Sequence, residues 1–104
     1  MSAQMIVNWT KRAKLRLIAR QDRIEKESGY HDVAVNWANR IIEATKSLKD
    51  MPEIGREVPE IGRTDIRELI VEQNTRVIYK LQKDSCAILT VRRCREQITT
   101  LRSL

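Results

Sequence analysis

The side chains best suited to chemistry in this sequence are its arginines, and they fall in three places. Arg92-Arg93-Cys94-Arg95 follows the last apolar run, Arg12, Arg16 and Arg20 stand four residues apart, and Arg76 lies within a β-branched stretch. A guanidinium offers a planar fork of donors that matches a phosphate or a carboxylate. A spacing of four places Arg12, Arg16 and Arg20 in one stripe along a helix. Alternation along a strand points the 92–95 cluster to both sides of a sheet edge. With 20 lysines and arginines against 14 acidic residues, the formal charge is +6. Such a balance favours an anionic partner: nucleic acid, a nucleoprotein assembly or an acidic protein. Each group also has an ordinary reading, as a solvated helix face or as charge that discourages strand-to-strand aggregation.

Other reactive groups are sparse. Glu57 and Glu60 lie in a polar connector, where a carboxylate can serve as a general base but is more often simply solvated. His31, the single histidine, stands at the start of a helical pattern and suits a surface or capping role. Tyr79 shares a strand face with Val77 and Leu81 by period-two alternation, which makes it a core aromatic. Trp37 belongs to an apolar helical stripe, and Trp9 ends a short strand. Cys86 and Cys94 are too few for a disulfide scaffold and have no histidine beside them to complete a zinc set. Reduced thiols are expected, with no metal and no cofactor.

The elements that must position these residues follow from apolar periodicity. Met5 to Trp9 reads as a strand, and Thr10 is placed to cap a helix running from Lys11 to about Glu27 and stopped at Ser28-Gly29. Ala34, Trp37, Ala38, Ile41, Thr45 and Leu48 then repeat with helical spacing up to Pro52, so the two helices form an antiparallel hairpin. The segment 51–64, with Pro-Glu-Ile-Gly at 52–55 and again at 59–62, reads as a turn-rich connector. Ile66–Val71, Thr75–Leu81 and Cys86–Val91 are strands joined by the short turns Gln73-Asn74 and Lys83-Asp84, which force an antiparallel meander. The tail from Glu96 to Leu104 can add a short helix through Ile98 and Leu101. The expected fold is therefore α+β: an N-terminal strand and a helical hairpin packed on an antiparallel β-meander.

The 104 residues suffice for one hydrophobic core, so a single domain over 1–104 is expected. No run approaches the ~20 apolar residues of a membrane-spanning helix, and Met1-Ser2-Ala3-Gln4 lacks the marks of a secretory leader. A cytoplasmic location with no membrane partner is expected.

Several segments carry a family resemblance over nearly the whole chain. Ile6-Val7-Asn8-Trp9-Thr10 with the basic residues after it, Pro52-Glu53-Ile54-Gly55-Arg56, Ile66-Arg67-Glu68-Leu69-Ile70-Val71, Thr75-Arg76-Val77-Ile78-Tyr79 and Ala87-Ile88-Leu89-Thr90-Val91-Arg92 together resemble the ParE/RelE toxin superfamily. The proline-glycine-arginine connector is similar to that of the ParE branch. The resemblance implies a growth-arresting toxin neutralised by a cognate antitoxin protein, with DNA gyrase as the target if it is ParE-like. RelE-like relatives instead cleave messenger RNA on the ribosome, and Arg76 occupies a position similar to their phosphate-binding arginine. They usually carry a Tyr or His near the C-terminus, whereas residues 91–104 here contain neither. The resemblance thus leans toward gyrase poisoning, with the endoribonuclease and a non-toxic antitoxin-binding module as alternatives. Arg67, Arg76, Arg92, Arg93, Arg95, Arg12, Arg16 and Arg20 are the candidate contacts for target or antitoxin.

Overall fold

A computed structural model describes residues 4–98. The chain opens with β1 (Ile6–Trp9), and Thr10 joins it to α1 (Lys11–Ser28). Thr10 does two jobs at that junction. Its hydroxyl accepts the Ala13 N–H at 3.2 Å, capping α1, and donates to the Ile88 carbonyl at 2.7 Å, fixing the helix start to the sheet. Gly29 ends α1 with φ of 79°, where its N–H reaches the Glu25 carbonyl at 2.8 Å. That left-handed conformation is strained for residues with a Cβ, so the Ser28-Gly29 stop read from sequence has its expected cause.

The second helix, α2 (His31–Lys46), buries Ala34, Trp37, Ala38, Ile41 and Thr45. Its apolar stripe was expected to run on to Leu48 as α-helix. Instead the chain tightens into a 3-10 turn over Ser47–Lys49 that still leaves Leu48 fully buried. The Thr45 and Ser47 hydroxyls donate back to the Ile42 and Ala44 carbonyls, both at 2.7 Å, and so compete with the backbone ladder.

The strands are β2 (Arg56–Glu57), β3 (Ile66–Val71), β4 (Thr75–Leu81) and β5 (Ser85–Arg93), in the spatial order β1-β5-β4-β3-β2. The α+β architecture and the β3–β4–β5 meander agree with expectation. Two features go beyond it. β1 pairs parallel to β5, with Ile6 opposite Ser85 and Trp9 opposite Ile88, so the sheet is mixed. The connector also contributes the two-residue strand β2, antiparallel to β3. The β3–β4 turn carries positive φ at Glu72 (56°) and Gln73 (65°), and β5 bulges by one residue opposite Ile78 and Tyr79.

Both sheet faces are covered. Val77, Tyr79, Cys86 and Ile88 pack with Ala13, Leu17, Trp37, Ala38 and Ile41 from the hairpin. On the other face Ile66 and Ile78 pack with Val58 from the connector and Ile98 from the tail. In the tail, 96–98 is not helical; the rest of the expected C-terminal helix lies outside the described residues.

Tyr79 holds the connector against the sheet. It is fully buried, and its hydroxyl accepts the Gly55 N–H at 2.9 Å and donates to the Pro52 carbonyl at 2.8 Å. Burial keeps its phenol above the usual range although the Gly55 N–H pulls the other way. Gly55 sits so close that a Cβ there would lie 2.6 Å from the Tyr79 hydroxyl and 2.7 Å from the Glu68 carbonyl oxygen. Gly55→Ala is therefore expected to lower stability by about 1–3 kcal/mol, because backbone as well as side chain must move. Tyr79→Phe should lose about 1–3 kcal/mol by leaving the Gly55 N–H without its partner. Urea unfolding of both variants checks this; midpoints equal to the wild type would show that the connector is not held here.

Candidate functional site

Two basic segments far apart in sequence meet in space. α1 lies against the C-terminal end of β5, and between them runs a groove of about 180 Å³ lined by Arg16, Arg20, Arg23, Arg92 and Arg93, with Ala19, Thr75, Val91 and Glu96. Helical spacing aligns the α1 arginines, with Arg20 about 6 Å and Arg23 about 10 Å along the axis from Arg16.

Glu96 is the one carboxylate in the lining among the described residues, and three arginines converge on it. Its oxygens lie 3.3 Å from Arg16, 3.5 Å from Arg92 and 3.8 Å from Arg93, and one also accepts the Arg93 backbone N–H at 3.1 Å. Burial alone would raise this carboxyl, but the Arg93 N–H and the Arg16 and Arg92 charges outweigh it and hold it below the usual range. Arg16 also donates to the Val91 carbonyl at 3.3 Å, and Arg92 to the Thr90 hydroxyl at 3.3 Å. Arg23 pairs with Glu27 at 2.9 Å. The groove remains strongly cationic, and its arginines are half-buried or exposed, which suits an extended anion.

Arg76 has a different environment. Its side chain is 5% exposed, and all three of its guanidinium nitrogens are engaged. Nε donates to Glu68 at 2.6 Å, while the two terminal nitrogens grip Glu60 at 2.7 and 2.8 Å and one of them also reaches the Glu96 carbonyl at 2.9 Å. Glu68, itself fully buried, accepts a second bond from Arg56 at 2.6 Å. Glu60 also accepts the Ile98 N–H at 3.1 Å. The fork that sequence reasoning offered to a phosphate is filled by a carboxylate of the same chain.

Glu60 is likewise committed. The Arg76 hydrogen bonds hold its carboxyl down at about 2, against the opposing effect of burial. A carboxylate that acidic accepts a proton poorly and is a weak general base near neutral pH. Glu57 is exposed on β2. Arg67 reaches the Thr64 carbonyl at 3.0 Å and the Gly55 carbonyl at 2.9 Å, so it fastens the connector. Arg12 and Arg95 are exposed and lie outside the groove lining. His31 is exposed and bonded to Glu25. Cys86 is buried and Cys94 exposed, both as free thiols.

Arg16, Arg20, Arg92 and Arg93 are thus brought together from the sequence candidates, and Arg23, Glu96 and Glu68 were missed. Arg23 follows Arg20 by three residues, so extending the stripe by one turn would have found it. Glu96 stands three and four residues after Arg93 and Arg92, a local signal that could have found it, whereas Glu68 pairs with Arg56 and Arg76 on other strands.

Removing Arg76 leaves Glu68 buried beside only Arg56, so Arg76→Met should lower stability by about 3–5 kcal/mol in urea unfolding. Because the folded Glu60 carboxyl titrates at about 2 against an ordinary 4.5, its contribution is complete above 4.5 and is lost as pH falls toward 2. Unfolding curves taken across that window should show a steeper acid loss for the wild type than for Glu60→Gln. Equal slopes would remove the Glu60–Arg76 pair from the account.

Comparison with known proteins agrees with this architecture. A search of curated proteins by sequence gives no match. Among solved structures, a chain titled as the chromosomal ParDE TA system from P. aeruginosa is similar with a TM-score of 0.75 at 24% identity, covering 88% of this chain and 98% of that one. Residues 7–98 match the family described as ParE toxin of type II toxin-antitoxin system, parDE, from β1 through the last described residue. By a match that spans the helical hairpin, the meander and the groove between them, this chain belongs to the ParE toxin family of type II toxin–antitoxin systems.

Proposed function

We propose that the chain arrests growth by poisoning DNA gyrase and that a cognate antitoxin neutralises it. The observation that carries this reading is the family match over residues 7–98. The groove chemistry supports it: arginines that can bind an anion, around a carboxylate that their charges hold below its usual range. Binding and trapping a target's covalent DNA complex needs contact surface and charge, and no catalytic acid or base.

The endoribonuclease alternative asks for a base, a phosphate-holding cation and an acid within reach of one another. Here Arg76 and Glu60 are locked together, and residues 91–104 hold neither His nor Tyr. That weighs against RNA cleavage. A cytoplasmic site of action follows from the gyrase reading, and among the described residues no helix is long and apolar enough to cross a membrane. An antitoxin-binding module without toxicity is distinguished by expression: the toxin stops growth without its partner.

Purified protein titrated into gyrase and supercoiled plasmid, followed by detergent and protease, should release linear DNA in a dose-dependent way. No linear product from active gyrase, with messenger RNA cut on translating ribosomes instead, would replace this reading with the nuclease one.

A further inference from the structure

We infer that the arginine groove between α1 and the end of β5 binds the phosphodiester backbone of DNA, and that Glu96 is a built-in competitor that a backbone phosphate displaces. The inference rests on the gyrase reading for its reason to expect DNA near this surface; the site itself is argued from the groove.

The cations outnumber the anion that holds them. Among the described residues Arg16, Arg20, Arg23, Arg92 and Arg93 line the groove against Glu96, and from outside it Glu27 pairs with Arg23 and lies within reach of the Arg20 and Arg93 charges. Glu96 meets its three arginines at 3.3–3.8 Å, longer than the 2.6–2.8 Å of the buried Arg76 pairs in the same protein. Charge-assisted bonds of good geometry lie near 2.7–2.9 Å. One carboxylate spread over three guanidinium groups satisfies none of them fully. An oxyanion with more acceptor atoms does better, and a phosphate supplies them in a shape that arginine forks match.

The form of the groove points to a chain of charges. The α1 arginines extend over about 10 Å of helix axis, and one strand of duplex DNA carries a charge per roughly 3.4 Å of its axis, so the groove spans about three phosphates of one backbone. Thr75 and Val91, both nearly buried, and the exposed Ala19 complete the lining without adding a charge. Glu96 can leave without unfolding its surroundings, because it is about one-third exposed and its segment stays anchored through its own carbonyl on Arg76 and the Ile98 N–H on Glu60.

The test is fluorescence anisotropy of a short labelled DNA duplex with the full chain across a salt series. Glu96→Gln keeps an oxygen acceptor for the Arg93 N–H and removes the competing charge, so affinity should rise about fivefold. Arg20→Glu should weaken binding at least about tenfold, and Arg92→Ala should lower the salt slope by about 1. Lys83→Glu changes net charge as Arg20→Glu does, but it sits in the β4–β5 turn, about 20 Å along β4 from Thr75, and should weaken binding less than about threefold. Circular dichroism and urea midpoints confirm that each variant is folded.

Equal losses for Arg20→Glu and Lys83→Glu, or no gain for Glu96→Gln, overturn the inference. So does an oligoglutamate peptide that displaces DNA at equal charge and gains equally from Glu96→Gln, because the groove is then a carboxylate site for an acidic protein. Trapped gyrase breaks are scored separately. DNA affinity indifferent to the groove variants defeats this inference even where trapping persists, whereas groove-dependent DNA binding without trapped breaks defeats the gyrase reading and leaves the phosphate site standing.

Discussion

The alternating chain of charges Arg56–Glu68–Arg76–Glu60 is the constraint on which the rest of the structure depends. It begins on the connector at Arg56, crosses β3 at Glu68 and β4 at Arg76, and returns to the connector at Glu60. Its inner members are nearly without solvent, so each charge is tolerable only because its neighbour is present. Arg76 and Glu60 also carry the Glu96 carbonyl and the Ile98 N–H, which brings the tail back over the sheet. Burial of Arg76 would otherwise lower its pKa, but the Glu60 and Glu68 bonds raise it instead, so the cation at the centre stays charged.

From that anchor the functional surface follows. With Glu96 held at the end of β5, its side chain reaches the arginines of that strand and Arg16 of α1. Thr10 fixes the start of α1 to Ile88, which sets where the helical arginines stand relative to the sheet. The groove therefore lies between two pinned elements, and its charge is presented by side chains on rigid backbone rather than on a loop. The same arrangement separates two uses of arginine within one small protein: Arg76, Arg56 and Arg67 hold the fold together, while Arg16, Arg20, Arg23, Arg92 and Arg93 line an open groove around Glu96.

The opposite side of β4 is held by neutral bonds. Tyr79 faces the helices, and its hydroxyl ties down Pro52 and Gly55, while its strand neighbour Ile78 belongs to the small cluster on the other face. One strand thus secures the connector through both faces, by charge at Arg76 and by a buried phenol at Tyr79. This gives the Pro-Glu-Ile-Gly-Arg segment its physical meaning: the glycine is required by close approach and the arginine by Glu68.

The sequence by itself determined the elements and their caps, because those depend on neighbours a few residues away. The Thr10 cap, the Gly29 stop, the stripe from Ala34 to Leu48 and the limits of β3 and β4 were all legible from periodicity and turn residues. It also marked Arg16, Arg20, Arg92 and Arg93 as cations able to hold an anion. Only the tertiary structure decided which cations are open to a partner. Arg76 and Arg92 read alike along the chain, yet one is enclosed by Glu60 and Glu68, whose distance in sequence hid the pairing, and the other lines a groove. The parallel pairing of β1, the two-residue β2 and the pairing of Glu96 with Arg16 were equally out of reach, since each is set by a partner dozens of residues away or by a bridge too short to leave a pattern.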